Sequence, residues 1–243
     1  MRVSWFSAGV SSAVATKLSC PDRIIYIDIE DQHVDTMRFL HDCERWFGQK
    51  IEILRSPLGS VENACRVASY LVGPGGAACT SRLKIRVRKE WEALNVGSHE
   101  YVWGFDSNER KRAEAVERKM RDHSHIFPIL NRTKSEVHGI LSAAGISRPR
   151  MYDLGYHNNN CVGCLRGGIA YWVKIRKDFP EVFARRVALE RLIGAHICTR
   201  RVKVAGKWVH VPLYLDKLRE NDGRGQSPIV PDCGIFCELQ IIP

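Results

Sequence analysis

The sequence predicts an α/β fold with a doubly wound parallel sheet, followed by a small C-terminal helical, cysteine-rich extension. Short apolar segments alternate with helical patterns over the first 150 residues, as in parallel sheets. After Pro149 the pattern changes to a turn-rich segment that ends in a cysteine pair. We therefore expect two parts, residues 1–150 and 151–243.

Each element is predicted from its own pattern of apolar residues and turn formers. Five segments resemble short buried strands: 2–6, 24–29, 51–54, 101–105 and 125–130. Seven are expected to be helical: 13–18, 35–47, 61–71, 83–94, 108–120, 135–145 and 168–194. The stretch after residue 194 is expected to be a polar tail.

Net charge, apolar runs and cysteine content indicate what kind of partner the protein binds and in which compartment it lies. The 243 residues carry a formal net charge of +10, which favours anionic partners such as nucleotides, nucleic acid or acidic carrier proteins. No signal peptide and no apolar run of about 20 residues is present, so we expect a cytoplasmic protein without a membrane span. In a reducing compartment the nine cysteines indicate metal ligands or reactive thiols rather than disulfides.

The segment after the first strand has the composition of a phosphate-binding loop. Small residues let backbone N–H groups approach phosphate oxygens, and a following helix N-terminus favours negative charge. A purely structural turn has similar residues, so the segment alone leaves both interpretations open. Its members are Ser7, Ala8, Gly9, Val10, Ser11 and Ser12.

Six segments, taken in order, resemble the motifs of one superfamily. They are FSAGVSSA (6–13), YIDIEDQHVDTMRF (26–39), CTSRLKI (79–85), GFDSNERKRAE (104–114), FPILNRTKSEVHGIL (127–141) and GYHNNNCVGC (155–164). The chain thus resembles the phosphoadenosine phosphosulfate (PAPS) reductase-like family of the PP-loop ATP pyrophosphatases, the adenine nucleotide alpha hydrolase-like superfamily. Its PP-loop usually reads SGGxDS, so Ala8 replaces the second glycine and Ser11 the aspartate. The basic residue that usually follows Gly104 is also absent, although Arg110 and Arg112 lie close in sequence.

The resemblance implies roles for residues and a ligand, ATP or a related adenine nucleotide with Mg²⁺. Residues 7–12 would hold phosphates, and Asp28 would lie near the adenosine unless it only caps its strand. Arg82 and Lys84 would bind phosphate or sulfate, or else lie on a solvated helix face. Gly104, Asp106, Glu109 and Arg110 would border the same site. The resemblance makes Lys84, Asp28 and Cys79 the catalytic candidates.

Two cysteine pairs predict a metal centre. Cys161 with Cys164, and Cys233 with Cys237, have the spacing of a four-thiolate site for Zn²⁺ or a [4Fe–4S] cluster. The resemblance adds Cys79, so five thiols compete for four positions and a spare thiol could be a sulfur carrier or nucleophile. We expect Cys20, Cys43, Cys65 and Cys198 to fill the core.

Three functions follow. The first is an ATP-using nucleotidyl or sulfur-transfer enzyme whose partner is nucleic acid or a sulfur-carrier protein. The second is a sulfonucleotide reductase with Cys233 or Cys237 as nucleophile, because DCGIFCE (232–238) partly resembles the family's ECGxHxG tail. The third is a non-catalytic module that binds a nucleotide or nucleic acid and contains structural zinc. The sequence does not indicate the oligomeric state.

Overall fold

The computed structural model describes residues 1–73 and 75–230. Its strands are β1 Arg2–Phe6, β2 Arg23–Asp28, β3 Glu52–Arg55, β4 Val72–Gly73, β5 Gly76–Ala77, β6 Glu100–Val102, β7 Ser124–Ile126, β8 Cys198–Val204 and β9 Lys207–Leu213. Its α-helices are α1 Val10–Ser19, α2 Asp35–Phe47, α3 Val61–Ala68, α4 Arg86–Leu94, α5 Arg110–Lys119, α6 Lys134–Ala143, α7 Arg150–Asp153, α8 Ile169–Asp178 and α9 Pro180–Ile193. A π-helical turn, Thr80–Ile85, leads directly into α4.

A parallel sheet with helices on both faces confirms the predicted fold class. Within the described residues it has five strands in the order β3-β2-β1-β6-β7, and every pairing is parallel. Trp5 and Ile25 pack on one face against Trp91 of α4. Phe6 packs on the other face against Val14 of α1 and other core residues. Both faces are covered, which explains why the central strands read as continuous apolar runs.

The part after residue 150 shares a core with the sheet domain. One cluster joins Ile29 and Leu83 of the first part to Cys161, Leu165 and Leu189 of the second. A buried ion pair between Arg186 of α9 and Asp31, in the loop after β2, crosses the same boundary. The domain boundary at residue 150 stays a prediction, because the two parts are in extensive contact.

The C-terminal part agrees with one expectation and contradicts another. The segment 168–194 is helical as expected, but it is divided into two helices, because Pro180 has no N–H for an intrahelical bond and starts α9 after a break at Phe179. The stretch expected to be a polar tail contains an antiparallel hairpin, β8–β9. Its two turn residues, Ala205 and Gly206, both have positive φ, as tight hairpins require.

No helix in the described part of the chain combines the length and apolar character needed to cross a bilayer. Cys233 and Cys237 lie outside the described residues.

Candidate nucleotide-binding site

The carboxyl ends of β1 and β6 lie where the order of the sheet reverses. The chain places β2 and β3 on one side of β1, and then β6 and β7 on the other. Ligands of open α/β sheets bind at such a reversal. Residues 7–12, here called the β1–α1 loop, follow β1, and Gly104 follows β6 by two residues. Two of the segments predicted from the sequence therefore meet at this edge.

The β1–α1 loop has a backbone shape that suits an anion. Ala8 has a left-handed conformation with φ of +56°, and Gly9 is the extended N-cap of α1. The Ser7 N–H donates to the Ser12 hydroxyl at 3.0 Å, which closes the loop on itself. The first N–H groups of a helix have no partners within the helix and carry partial positive charge. The start of α1 therefore carries partial positive charge at the end of this loop.

Gly104 supports this loop from the neighbouring strand. A Cβ atom at residue 104 would lie 2.7 Å from both the Cα and N atoms of Ser12 and 2.8 Å from the carbonyl carbon of Ser11. Side-chain carbons do not approach backbone atoms that closely, so only glycine permits this contact. The close packing fixes the loop relative to β6.

The segment before the cysteine pair covers the loop from the other side. Asn159 is buried, and its side-chain amide donates to the Ala8 carbonyl at 2.8 Å and to the Thr36 hydroxyl at 3.3 Å. The Val10 N–H donates to the Tyr152 hydroxyl at 3.3 Å. Lys134 approaches the same segment, donating to the Asn158 side chain at 2.6 Å. Asn159 therefore stabilises Ala8 in its left-handed conformation.

Replacing Asn159 with aspartate is expected to loosen the loop. The variant keeps the size of the side chain but sets a carboxylate against the Ala8 carbonyl, at a cost of about 1–3 kcal/mol. We expect nucleotide affinity to fall roughly tenfold and the melting temperature to fall by several degrees. Calorimetric titration and thermal unfolding measure both, with the exposed Asn221→Asp as control. Unchanged nucleotide affinity in Asn159→Asp would show that Asn159 does not support the nucleotide site.

Several buried polar atoms at this edge have no hydrogen-bond partner among the described residues. They are the Tyr26 hydroxyl, Gln32 Oε1, Thr80 Oγ1 and Asn159 Oδ1. Burial, together with the Asp28 carboxylate, raises the pKa of Tyr26 far above its usual range, so its hydroxyl stays protonated. Buried polar groups in folded proteins are nearly always paired. These atoms therefore favour a polar ligand or ordered water at the edge.

Comparison with known proteins identifies the family of the chain. The family model described as "Phosphoadenosine phosphosulfate reductase domain" matches residues 2–167, more than half of the chain. The chain belongs to the phosphoadenosine phosphosulfate reductase domain family. The matched region covers the β1–α1 loop, Gly104, Asn159 and the CVGC segment. The hairpin β8–β9 lies beyond it.

A solved structure is also similar to the chain, at low sequence identity. It is the crystal structure of phosphoadenylyl-sulfate (PAPS) reductase from Candida auris, in complex with phosphate. The two share 17% identity over 66% of this chain and 81% of that chain, with a TM-score of 0.46. No curated protein sequence matches the chain significantly.

One cationic candidate of the family domain, Lys84, lies close to the thiols. Arg82 and Lys84 are in the π-helical turn before α4. Burial raises the pKa of the Cys161 thiol, and the nearby Lys84 ammonium opposes that rise. The structure thus brings Lys84 near the CVGC segment, where it provides positive charge.

Asp28 and Arg110 make identifiable contacts of their own. Asp28 ends β2 and forms an ion pair with exposed Arg55 of β3 at 2.8 Å, directly across the strand register. Arg110 donates to the Asn131 side chain at 2.7 Å. Both contacts are exposed or half-buried, and each leaves further donor or acceptor sites on the Asp28 carboxylate and the Arg110 guanidinium for a ligand.

The carboxylates of Asp106 and Glu109 have a structural explanation. Asp106 accepts from the Asn108 N–H at 2.9 Å, while Glu109 accepts from the Asp106 N–H at 3.2 Å. This is a reciprocal capping box at the start of the turn before α5. The contacts account for these carboxylates without a ligand.

Three thiols meet beside this edge. Cys161 and Cys164 are buried, and burial, followed by the neighbouring Cys164 and Cys161 thiols, raises the pKa of Cys79. The Cys65 thiol also raises the pKa of Cys79, by less than Cys164 and Cys161 do, so it too lies near this group. The predicted core role is confirmed for Cys43, Cys65 and Cys198, which are buried. It is wrong for Cys20, which is exposed just after the end of α1.

The CVGC segment is rigidly supported by residues that follow it. The Tyr171 hydroxyl accepts from the N–H groups of Gly163 and Cys164, both at 3.0 Å. Arg186 donates to the Gly163 carbonyl at 3.2 Å. Gly163 has a φ of +74°, and a Cβ there would lie 2.6 Å from a methyl group of Val182. A glycine is therefore required between the two cysteines.

The described residues do not by themselves form a metal centre. Within residues 1–73 and 75–230, no group of three or more His, Cys, Asp or Glu side chains is arranged to hold a metal ion. Cys79, Cys161 and Cys164 lie near one another without forming such a group, and the second predicted pair, Cys233 and Cys237, lies outside this part of the chain. The four-thiolate site stays a prediction.

Sequence reasoning missed the residues that surround the site. Asn159, Tyr152, Tyr171 and Arg186 contact the β1–α1 loop or the CVGC segment. The signal for Asn159 was present, because three consecutive asparagines precede a cysteine pair inside a family motif. The partners of Tyr171 and Arg186 depend on helix packing, which the sequence pattern does not specify.

Proposed function

We propose that the chain binds an adenine nucleotide with its phosphates on the β1–α1 loop and reduces a sulfonucleotide with its thiols. The observation that carries the proposal is the close approach of Gly104 to Ser11 and Ser12, which fixes a small-residue loop at the reversal of the sheet. Membership of the reductase domain family supports an adenine nucleotide as the ligand.

Reduction of such a nucleotide requires two thiols. A thiolate attacks the sulfur of the sulfate group, the S–O bond to the nucleotide phosphate breaks, and the nucleotide phosphate leaves. A second thiolate then attacks the modified cysteine sulfur, which releases sulfite and forms a disulfide. The candidate nucleophiles are Cys79 at the site and Cys233 or Cys237 in the undescribed tail. An external thiol then reduces the disulfide.

Lys84 and Arg82 would assist by binding the anionic groups. Burial raises the pKa of the Cys161 and Cys79 thiols, and the nearby Lys84 ammonium opposes that rise and would attract an incoming sulfate. Asp28 would bind the adenosine side of the ligand through an acceptor site that its contact with Arg55 leaves open.

ATP-dependent nucleotidyl or sulfur transfer is less well supported by these residues. Ser11 stands where the superfamily has an aspartate, so the β1–α1 loop offers no carboxylate to Mg²⁺. Asp28, the nearest predicted carboxylate, is paired with Arg55. Nucleic-acid and sulfur-carrier partners also stay predictions of the basic composition.

One set of assays on the full chain distinguishes these functions. Calorimetric titration compares adenosine 3′,5′-bisphosphate, ATP and AMP as ligands. Sulfite release from PAPS is measured with dithiothreitol as reductant, and pyrophosphate release is measured from ATP with Mg²⁺. We expect adenosine 3′,5′-bisphosphate to bind and sulfite to appear. Pyrophosphate without sulfite would support the ATP-using enzyme, and binding without either product would support a nucleotide-binding module.

The predicted metal centre has its own test. If Cys161 is a ligand, Cys161→Ser is expected to lower bound iron or zinc after anaerobic purification, since a hydroxyl is a poor replacement for a thiolate. Metal analysis and the absorbance of iron–sulfur centres give the readout. Exposed Cys20 provides the matched control, Cys20→Ser. Equal metal content in all three proteins would exclude Cys161 as a ligand.

A further inference from the structure

The hairpin β8–β9 is a basic projection that lies outside the family-matched region. Between Glu190 and Asp216 the sequence has no acidic residue, while Arg200, Arg201, Lys203 and Lys207 all fall within the hairpin. Its base is anchored, because Cys198 and Leu213 are buried in a core cluster. Arg200 is held near the base by an ion pair with Asp222.

The strand register sorts the hairpin into two different faces. Arg201 lies opposite His210, and Lys203 lies opposite Trp208. Paired residues in an antiparallel ladder point to the same side, so these four side chains share one face. Thr199 and Pro212 extend it toward the base, and all six residues are exposed. This set is called the basic face.

The opposite side of the hairpin is mainly aliphatic and partly covered. It carries Val202, Val204, Val209 and Val211, together with Arg200, which is paired with Asp222, and Lys207 beside the turn. The exposed indole therefore shares the basic face with Arg201 and Lys203, two of the three hairpin cations outside that ion pair. This combination of an aromatic ring and positive charge indicates a surface for an anionic partner.

Trp208 decides what kind of anionic partner suits the face. Its side chain is 61% exposed, and the Arg201 guanidinium lies 5.3 Å from the centroid of its ring. An indole surrounded by cations provides a plane on which a nucleobase stacks while the cations contact phosphates. An acidic protein partner would instead favour an apolar centre with a polar rim.

We propose that the basic face binds single-stranded nucleic acid, with Trp208 stacking on a base and Arg201 and Lys203 contacting phosphates. RNA and DNA share this chemistry, because every base has a π-face and both backbones are anionic. The proposal does not depend on the nucleotide site in the sheet domain.

Fluorescence anisotropy on the full-length protein tests the proposal with labelled dT20, rU20 and a 20-base-pair duplex. We expect both single strands to bind more tightly than the duplex. Trp208→Ala is expected to weaken single-strand binding roughly tenfold. Arg201→Glu/Lys203→Glu should weaken it further and reduce the salt dependence, by about 0.7 in log–log slope for each phosphate that the variant no longer neutralises.

Matched controls separate this surface from overall charge. Lys89→Glu/Lys119→Glu makes the same change in net charge on exposed helical positions, and it should leave binding within about twofold of the unmodified protein if the hairpin is the site. Trp208→Phe should retain part of the affinity. Binding of adenosine 3′,5′-bisphosphate and the circular dichroism spectrum should be unchanged in all variants.

Three results would overturn the proposal. The first is that no oligonucleotide binds at 100 mM salt. The second is that the hairpin variants and the control variant lose the same amount of single-strand affinity. The third is that the protein self-associates and that Trp208→Ala abolishes this self-association. The last would identify the basic face as an interface between copies of the chain. Tighter binding of dT20 than of rU20 would identify single-stranded DNA as the preferred ligand, and the reverse would identify RNA.

Discussion

Replacing Gly9 with aspartate is expected to lower adenine-nucleotide affinity by roughly two orders of magnitude or more, because juxtaposed like charges cost several kcal/mol. Gly9 is the N-cap of α1 and lies in the β1–α1 loop. A Cβ atom there would be 3.6 Å from its nearest neighbours, which is ordinary contact. The new carboxylate would therefore enter the loop without a clash and repel phosphate.

The fold is expected to survive this substitution. Aspartate is among the preferred N-cap residues, since its side chain accepts from the first N–H groups of the helix. Gly9→Asn is the matched control, because it caps the helix and occupies similar space without charge. Calorimetric titration with adenosine 3′,5′-bisphosphate and thermal unfolding give the readouts. Equal affinities of the aspartate and asparagine variants would contradict a phosphate at this loop.

Replacing Gly104 with alanine is expected to disrupt both stability and binding. The added methyl group would lie 2.7 Å from backbone atoms of Ser12, which cannot move without shifting the start of α1. Overpacking of this kind costs typically about 1–3 kcal/mol. We expect a fall of several degrees in melting temperature and at least a tenfold loss of nucleotide affinity.

Gly139→Ala is a suitable control for this substitution. Gly139 lies in α6, and a Cβ there would meet no atom within 4 Å. Alanine favours a helix over glycine by about 1 kcal/mol, so the control should be neutral or slightly more stable. If Gly104→Ala behaved in the same way, the packing of β6 against the loop would not be a determinant of the site.

The sequence was sufficient to predict the sheet domain, because its signals are local. Continuous apolar strands, small-residue loops and helix boundaries are visible within a few residues of each other. The helix 35–47 agrees with α2 at both ends, and β1 agrees with the predicted segment 2–6. Gly104 was predicted as a nucleotide-binding residue and stays a prediction in that role, and only the three-dimensional structure shows which backbone atoms it contacts.

The contacts around the site depend on distant parts of the chain. Asn159 meets Ala8 across 151 positions, and Arg186 meets Asp31 across 155. No periodicity encodes such pairs, since they depend on how α8 and α9 pack against the sheet. The hairpin was missed for a different reason. Its strands alternate basic and aliphatic residues, and the charge obscured the strand pattern.

The ion pair between Asp31 and Arg186 has a consequence for the order in which the chain matures. Asp31 leaves the ribosome early, whereas its partner lies in α9, near residue 186 of 243. Removing one partner of a buried pair costs about 3–5 kcal/mol, so the loop after β2 gains its final support only when α9 has emerged. A nascent chain that already contains the whole family-matched region, residues 2–167, would still lack this support until α9 is synthesised.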